Sequence, residues 1–105
     1  MGVIYEVTVH ARADIARDYL AWLRGHVEAM LGLPGFESAE LHAVLEPAED
    51  ARGWCIRYRL RDRAALEDYL RDHAPRMRAE GIERFGDAFR AQRRVLATLE
   101  DPACG

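Results

Sequence analysis

The sequence contains no lysine and no asparagine; serine and glutamine occur once each, at Ser38 and Gln92, and threonine twice, at Thr8 and Thr98. A Schiff-base lysine, a phosphate-loop lysine and a lysine general base are therefore excluded. A serine nucleophile has only Ser38 to draw on, and that residue lacks the glycine elbow of a hydrolase. Cysteine is scarce too. Cys55 lies in an apolar stretch and reads as a small hydrophobe, Cys104 is next to last, and two free thiols in a reducing compartment are expected. No apolar run approaches the roughly 18 residues of a membrane helix. The Met-Gly-Val-Ile-Tyr-Glu start has no basic or apolar leader, and Glu6 stands where a myristoylation signal has Ser or Thr. The expectation is a cytoplasmic protein with no membrane partner.

Half of the 105 residues are hydrophobic and 31% are charged, the composition of one globular domain. A chain of this size buries roughly 65% of its unfolded surface, enough for a core without disulfides or metal. All 15 basic residues are arginine, set against 18 acidic ones for a formal charge of −3, so no overall field draws nucleic acid or an anionic membrane.

Periodicity predicts four strands and two helices in the order βαββαβ. Over residues 3–10, Val3, Tyr5, Val7 and Val9 alternate with Ile4, Glu6, Thr8 and His10. Asp14 is placed to cap a helix to about Leu31, in which Ile15, Tyr19, Leu23, Val27, Met30 and Leu31 recur at helical spacing; Gly32, Pro34 and Gly35 end it. A second strand is expected over 36–46, with Ala39, Leu41, Ala43 and Leu45 alternating against Ser38, Glu40, His42 and Val44, then a charged hairpin loop over 47–53. The third strand shows the sharpest alternation, Trp54, Ile56, Tyr58 and Leu60 against Cys55, Arg57, Arg59 and Arg61. Asp62 caps a second helix with Leu66, Tyr69, Leu70 and His73 on its buried side; Pro75 suggests a kink or a fresh turn to Glu80, and 81–87 a connector. A last strand over 88–99 sets Phe89, Ala91, Val95, Ala97 and Leu99 against Arg90, Gln92, Arg94, Leu96 and Thr98, and residues 101–105 form a frayed tail. The result is one α+β domain over residues 1–100 of ferredoxin-like type: a four-stranded antiparallel sheet with two helices on one face.

The uncovered face then gathers Glu6, His10, Glu40, His42, Arg57, Arg59 and Arg94 among Ile4, Val44 and Leu96. A solvated face is one reading. Packing against a second copy around a twofold axis suits the mixture of apolar and oppositely charged residues better. Arg57, Arg59 and Arg94 can fork onto a carboxylate or phosphate ligand, but pairing with Glu6 and Glu40 across neighbouring strands accounts for them more simply. His10 and His42 near Glu6 and Glu40 lack the close spacing of metal ligands, so no metal and no cofactor is expected. Tyr5, Trp54 and Tyr58 alternate away from the arginines, which removes the stacking platform of an RNA-binding sheet. They fall on the helix-covered face, as core or as the lining of a pocket. His73 is read first as a structural histidine satisfying carbonyls freed by Pro75, and second as a ligand-contacting or proton-transfer group working with Tyr5 and Tyr58.

The segment Tyr69-Leu70-Arg71-Asp72-His73-Ala74-Pro75-Arg76-Met77-Arg78-Ala79-Glu80-Gly81, with Arg84-Phe85-Gly86-Asp87-Ala88-Phe89 and Arg93-Arg94-Val95-Leu96, resembles a small bacterial family known only as a domain of unknown function. The opening Ile4-Tyr5-Glu6-Val7 and Tyr19-Leu20-Ala21-Trp22-Leu23 carry the same resemblance across nearly the whole chain. It implies a subunit similar to the dimeric α+β barrel superfamily, in which two sheets face each other and a small pocket often lies between sheet and helices. That superfamily includes cofactor-free monooxygenases, lactone isomerases, ligand-sensing modules and haem-degrading enzymes. The last pair a helical histidine with an asparagine near the first strand, which this chain lacks. The expected function is a homodimeric module, non-catalytic or binding a small molecule. The alternative is a cofactor-independent enzyme acting on a small aromatic or polyketide-like substrate through Tyr5, Tyr58 and His73.

Overall fold

Because the four strands alternate at period two, they can cover one face with helices and leave the other open, and the computed structural model, which describes residues 2–99, has that architecture. Strand β1 (Val3–Arg12) leads through a 3₁₀ turn (Ala13–Ile15) into α1 (Ala16–Leu31). Then come β2 (Phe36–Ala43), β3 (Ala51–Leu60), α2 (Arg63–Asp72), α3 (Ala74–Phe85) and β4 (Phe89–Ala97). The sheet is antiparallel throughout in the order β2-β3-β1-β4, the ferredoxin-like α+β arrangement. The expected tail over 101–105 lies outside the described residues.

Between sheet and helices sits the core. Val3, Tyr5, Val7 and Val9 of β1 and Trp54, Ile56, Tyr58 and Leu60 of β3 meet Tyr19, Leu23 and Met30 of α1, Leu66 and Tyr69 of α2, and Met77 of α3. Asp62 caps α2 as its position suggests, accepting the Ala65 N–H at 2.8 Å, and this contact holds its carboxyl below the usual range.

Several boundaries differ from the sequence-based expectation. Asp14 caps nothing: it lies in the 3₁₀ turn and pairs with Arg12 at 3.1 Å, and α1 starts two residues later with no side-chain cap. β2 stops at Ala43, whereas β3 begins already at Ala51, because Ala51, Arg52 and Gly53 find partners in Arg12, Ala11 and His10 of β1. Residues 74–85 form a full third helix in place of a short turn and a connector. Pro75 sits in its first turn, where the missing N–H has no intrahelical acceptor to lose. β4 spans 89–97, shorter at both ends than expected, and its inner face includes Arg93, opposite Val7.

Gly25 gives a stability test that leaves packing untouched. It is an exposed interior residue of α1, and a Cβ added there meets nothing within 4 Å. Gly25→Ala is expected to stabilise the protein by about 0.8–1 kcal/mol through the unfolded-state entropy that glycine carries. A urea midpoint no higher than that of the wild type would contradict this placement.

Candidate functional site

Where α1 and α3 cross the inner face of the sheet, packing is incomplete and leaves a cavity of about 240 Å³. Its walls are aromatic: Tyr5, Tyr58 and Phe89 from the sheet, Tyr19 and Trp22 from α1, and Tyr69 from α2. Tyr5 stacks near Tyr58 at 6.2 Å between centroids, and Tyr19 lies 5.0 Å from Phe89. Two of the expected site residues, Tyr5 and Tyr58, therefore reach a common space.

Polar groups enter the apolar shell from three elements. Arg78 of α3 donates from Nη2 to the Tyr5 hydroxyl at 3.0 Å, while its Nε is buried without a partner in the described structure. His26, one turn beyond Trp22 on α1, stacks on that indole at 4.7 Å, and its Nδ1 is likewise buried and unpartnered. Arg93 comes from β4. Burial pushes the Tyr19 and Tyr69 hydroxyls up to about 12, and raises that of Tyr58 as well, with the neighbouring tyrosines adding to the effect. These groups stay protonated phenols at neutral pH, able to donate. Burial lowers the His26 pKa, Glu80 opposes this and Arg93 adds to it; the neutral imidazole has one N–H and one free lone pair.

The open face carries a separate cluster. Glu6 of β1, 5% exposed, accepts from Arg57 of β3 at 2.8 Å and from Arg94 of β4 at 2.6 Å. The Arg94 hydrogen bond is the largest cause holding the Glu6 carboxyl below its ordinary value, partly offset by burial and reinforced by Arg57. Glu40 sits opposite Arg57 in the register, but its recorded contact is with His42, at 3.8 Å. Arg59 lies between Ile4 and Ser38, and His10 is at the far end of β1 beside Gly53 and Arg90. Among the described residues no group of three or more His, Cys, Asp or Glu side chains converges as metal ligands.

A family described as a domain of unknown function (DUF4286) matches residues 2–99. The chain belongs to that family. No curated protein matches the sequence. Several solved structures resemble this DUF4286 chain in fold. A candidate antibiotic biosynthesis monooxygenase from Deinococcus radiodurans superposes with a TM-score of 0.74 at 15% identity, covering 94% of each chain. SnoaB, a cofactor-independent oxygenase from Streptomyces nogalater, does so at 0.69 and 11% identity over 95% of this chain and 96% of its own. A dimeric ferredoxin-like protein of unknown function from Jannaschia sp. CCS1 gives 0.67 at 17% identity over 93% of this chain and all of its own. At these identities the likeness concerns the fold.

His73 does not join the DUF4286 cavity. It is the joint between α2 and α3, off the buried phase expected for it, and its Nδ1 accepts from Arg76 Nη2 at 2.9 Å on the outside. The helix ends at Asp72, so a helical phase extrapolated to residue 73 points the wrong way. The histidine of the cavity is His26. Its signal lay in the spacing Tyr19, Trp22, His26, Met30, a stripe beside the aliphatic one. Arg93 had a signal too: it interrupts the inner alternation of Ala91 and Val95.

Proposed function

We propose that this chain forms a homodimer through its open sheet face and binds a small, largely aromatic molecule in the helix–sheet cavity. The cavity carries this reading: an aromatic enclosure into which Arg78 and His26 bring buried polar atoms with no partner in the described structure. Buried polar groups are as a rule hydrogen-bonded, and a ligand supplies the missing partners. An engineered cavity of about 150 Å³ accepts benzene, so this space suits one or two fused rings. The Jannaschia protein supports the dimeric part by its described state. Association through the open face further suits the placement of Ile4 and Leu96 beside a neutralised Glu6. Sedimentation as a monomer at micromolar concentration would remove the dimeric part.

Calorimetric titration with 2-naphthoate and with the neutral 2-naphthamide tests the site. At least one is expected to bind. Ala91→Phe, placed on the inner face of β4 along the cavity wall, should fill the space and weaken binding about a hundredfold or more, at a stability cost of about 1–3 kcal/mol. Wild-type affinity in that variant would move the ligand site elsewhere.

One observation favours a second reading, a cofactor-independent enzyme acting on a small aromatic or polyketide-like substrate; SnoaB, similar in fold, is described as a cofactor-independent oxygenase. The buried, unpartnered Nδ1 of His26 in the cavity is the observation: burial keeps the imidazole neutral and therefore able to take a proton, and Tyr5 and Tyr58 line the same space with phenolic donors. In that reading His26 replaces His73 as the proton-transfer residue.

A further inference from the structure

The charged residues that line the cavity are of one sign. Its lining carries Arg78, Arg90, Arg93 and His26 but no aspartate or glutamate. Yet acidic residues outnumber arginines 18 to 15 in the chain as a whole. The opposite face of the same sheet shows how the fold treats arginines that need neutralising: Arg57 and Arg94 close on Glu6. Among the residues lining the cavity no such carboxylate is supplied, and Glu80, which acts on His26 from outside the lining, forms no ion pair with Arg78 or Arg93 among the described residues.

Arg93 occupies a position where the alternation of β4 calls for an apolar residue, between Ala91 and Val95, and no hydrogen bond or ion pair engages it among the described residues. Arg78 is half-buried, holds the Tyr5 hydroxyl with one nitrogen and leaves its buried Nε–H unmatched. Both guanidiniums line the cavity together with Tyr5 and Tyr69, and Arg78 is fixed on the Tyr5 side of it by its hydrogen bond to that hydroxyl. Tyr5 accepts from Arg78, and its own O–H has no acceptor among the described residues, so it is a further donor. The outcome is a fork of N–H groups and a phenol without an acceptor, set against stacked rings.

We propose that the cavity selects a planar aromatic carboxylate, with the anion held by Arg78, Arg93 and the Tyr5 hydroxyl and the ring system lodged among Tyr19, Trp22 and Tyr58. A guanidinium holds a carboxylate through paired hydrogen bonds of matching geometry, which an amide or ester reproduces only in part. The carboxylate satisfies the Arg78 Nε–H that is otherwise orphaned, and the ring fills space that is otherwise empty.

This proposal rests on the cavity being the ligand site, and the test separates the two. The probes are 2-naphthoate and 2-naphthamide, which share shape and differ in charge. Calorimetry is expected to show the naphthoate binding about tenfold or more tightly, with the preference shrinking as salt rises. Arg93→Gln, at a solvent-exposed position with no recorded hydrogen bond or ion pair among the described residues, is expected to reduce the ratio of the two affinities about fivefold, and Arg78→Gln to do the same where its thermal melt shows a folded protein. Equal affinity, or a preference for the amide, overturns the anion proposal and leaves the ligand site standing. A preference for naphthoate that survives in Arg93→Gln overturns the assignment of the anion to this pair of arginines. If neither compound binds, both the site and the proposal fall.

Discussion

Replacing Gly35 with alanine is expected to destabilise the protein by about 2–5 kcal/mol, a large share of the roughly 5–15 kcal/mol that holds a domain of this kind together. Gly35 links α1 to β2 with a φ of +85°, a conformation that costs an L-residue about 1–2 kcal/mol. A Cβ there would also collide with the Ala65 Cβ, in the first turn of α2. Neither side yields easily. The Gly35 carbonyl accepts the Arg61 N–H at 2.9 Å, and the Ala65 N–H is tied to the Asp62 cap, so relief by movement strains one contact or the other. Overpacking of this type adds about 1–3 kcal/mol. The double variant Gly35→Ala with Ala65→Gly, measured against Ala65→Gly alone so that the helix cost of the new glycine cancels, separates the two causes: the clash is relieved and the backbone cost is left. A Gly35→Ala protein whose denaturation midpoint matches the wild type would show that this turn is not packed as described.

The parts of the fold that could be read from the sequence are those where one geometric rule acts alone. Trp54, Ile56, Tyr58 and Leu60 alternate with Arg57 and Arg59 because a sheet covered on one side allows no other arrangement. From that phase the Glu6, Arg57 and Arg94 cluster follows, since residues facing the same way on neighbouring strands must meet. The third helix could not be read in the same way, because Pro75 and Gly81 are ambiguous by chemistry. Pro75 breaks a helix in its interior and is harmless in its first turn. Gly81 weakens a helix, but here it lets Trp22 and Phe89 close in: an added Cβ would lie 3.0 Å from Trp22 and 3.3 Å from Phe89. Such a contact depends on tertiary packing that no local window contains.

The site divides along the same line. Tyr5 and Tyr58 were legible as inward-facing residues on β1 and β3, whereas His26 and Arg78 belong to helices whose rotation is fixed only by what they pack against. The identity of the cavity histidine turned on where α2 ends, one residue before His73. Helix ends are set by competition among weak capping terms, so a phase carried past the last hydrogen-bonded turn has no physical support.

Glu6→Gln is expected to loosen the proposed dimer about tenfold or more and to flatten the acid limb of the stability profile. At neutral pH the ionised carboxylate pairs with both Arg57 and Arg94 on the open face and offsets one of their two positive charges, and both arginines remain partly exposed. Glutamine keeps the shape and removes the charge. Each protomer's cluster then gains one positive charge, and a face-to-face pair brings four guanidiniums with no Glu6 carboxylate between them into one interface. The pH dependence has a definite sign. With its folded pKa held below the ordinary 4.5, chiefly by Arg94, Glu6 contributes stability that is fully present above 4.5 and is lost as the pH falls from there through the depressed folded value. Asp62 and Asp72, lowered by the Ala65 N–H and by Arg71, contribute acid sensitivity of the same sign in both proteins. The difference between wild type and Glu6→Gln, taken by denaturation from pH 7 downward, therefore isolates Glu6: it should be largest at neutral pH and close below 4.5. Sedimentation at neutral pH reads the dimer separately. A Glu6→Gln dimer as tight as the wild type would exclude the open sheet face as the interface, while a gap in stability that does not narrow in acid would show that the Glu6 charge is not what Arg57 and Arg94 hold.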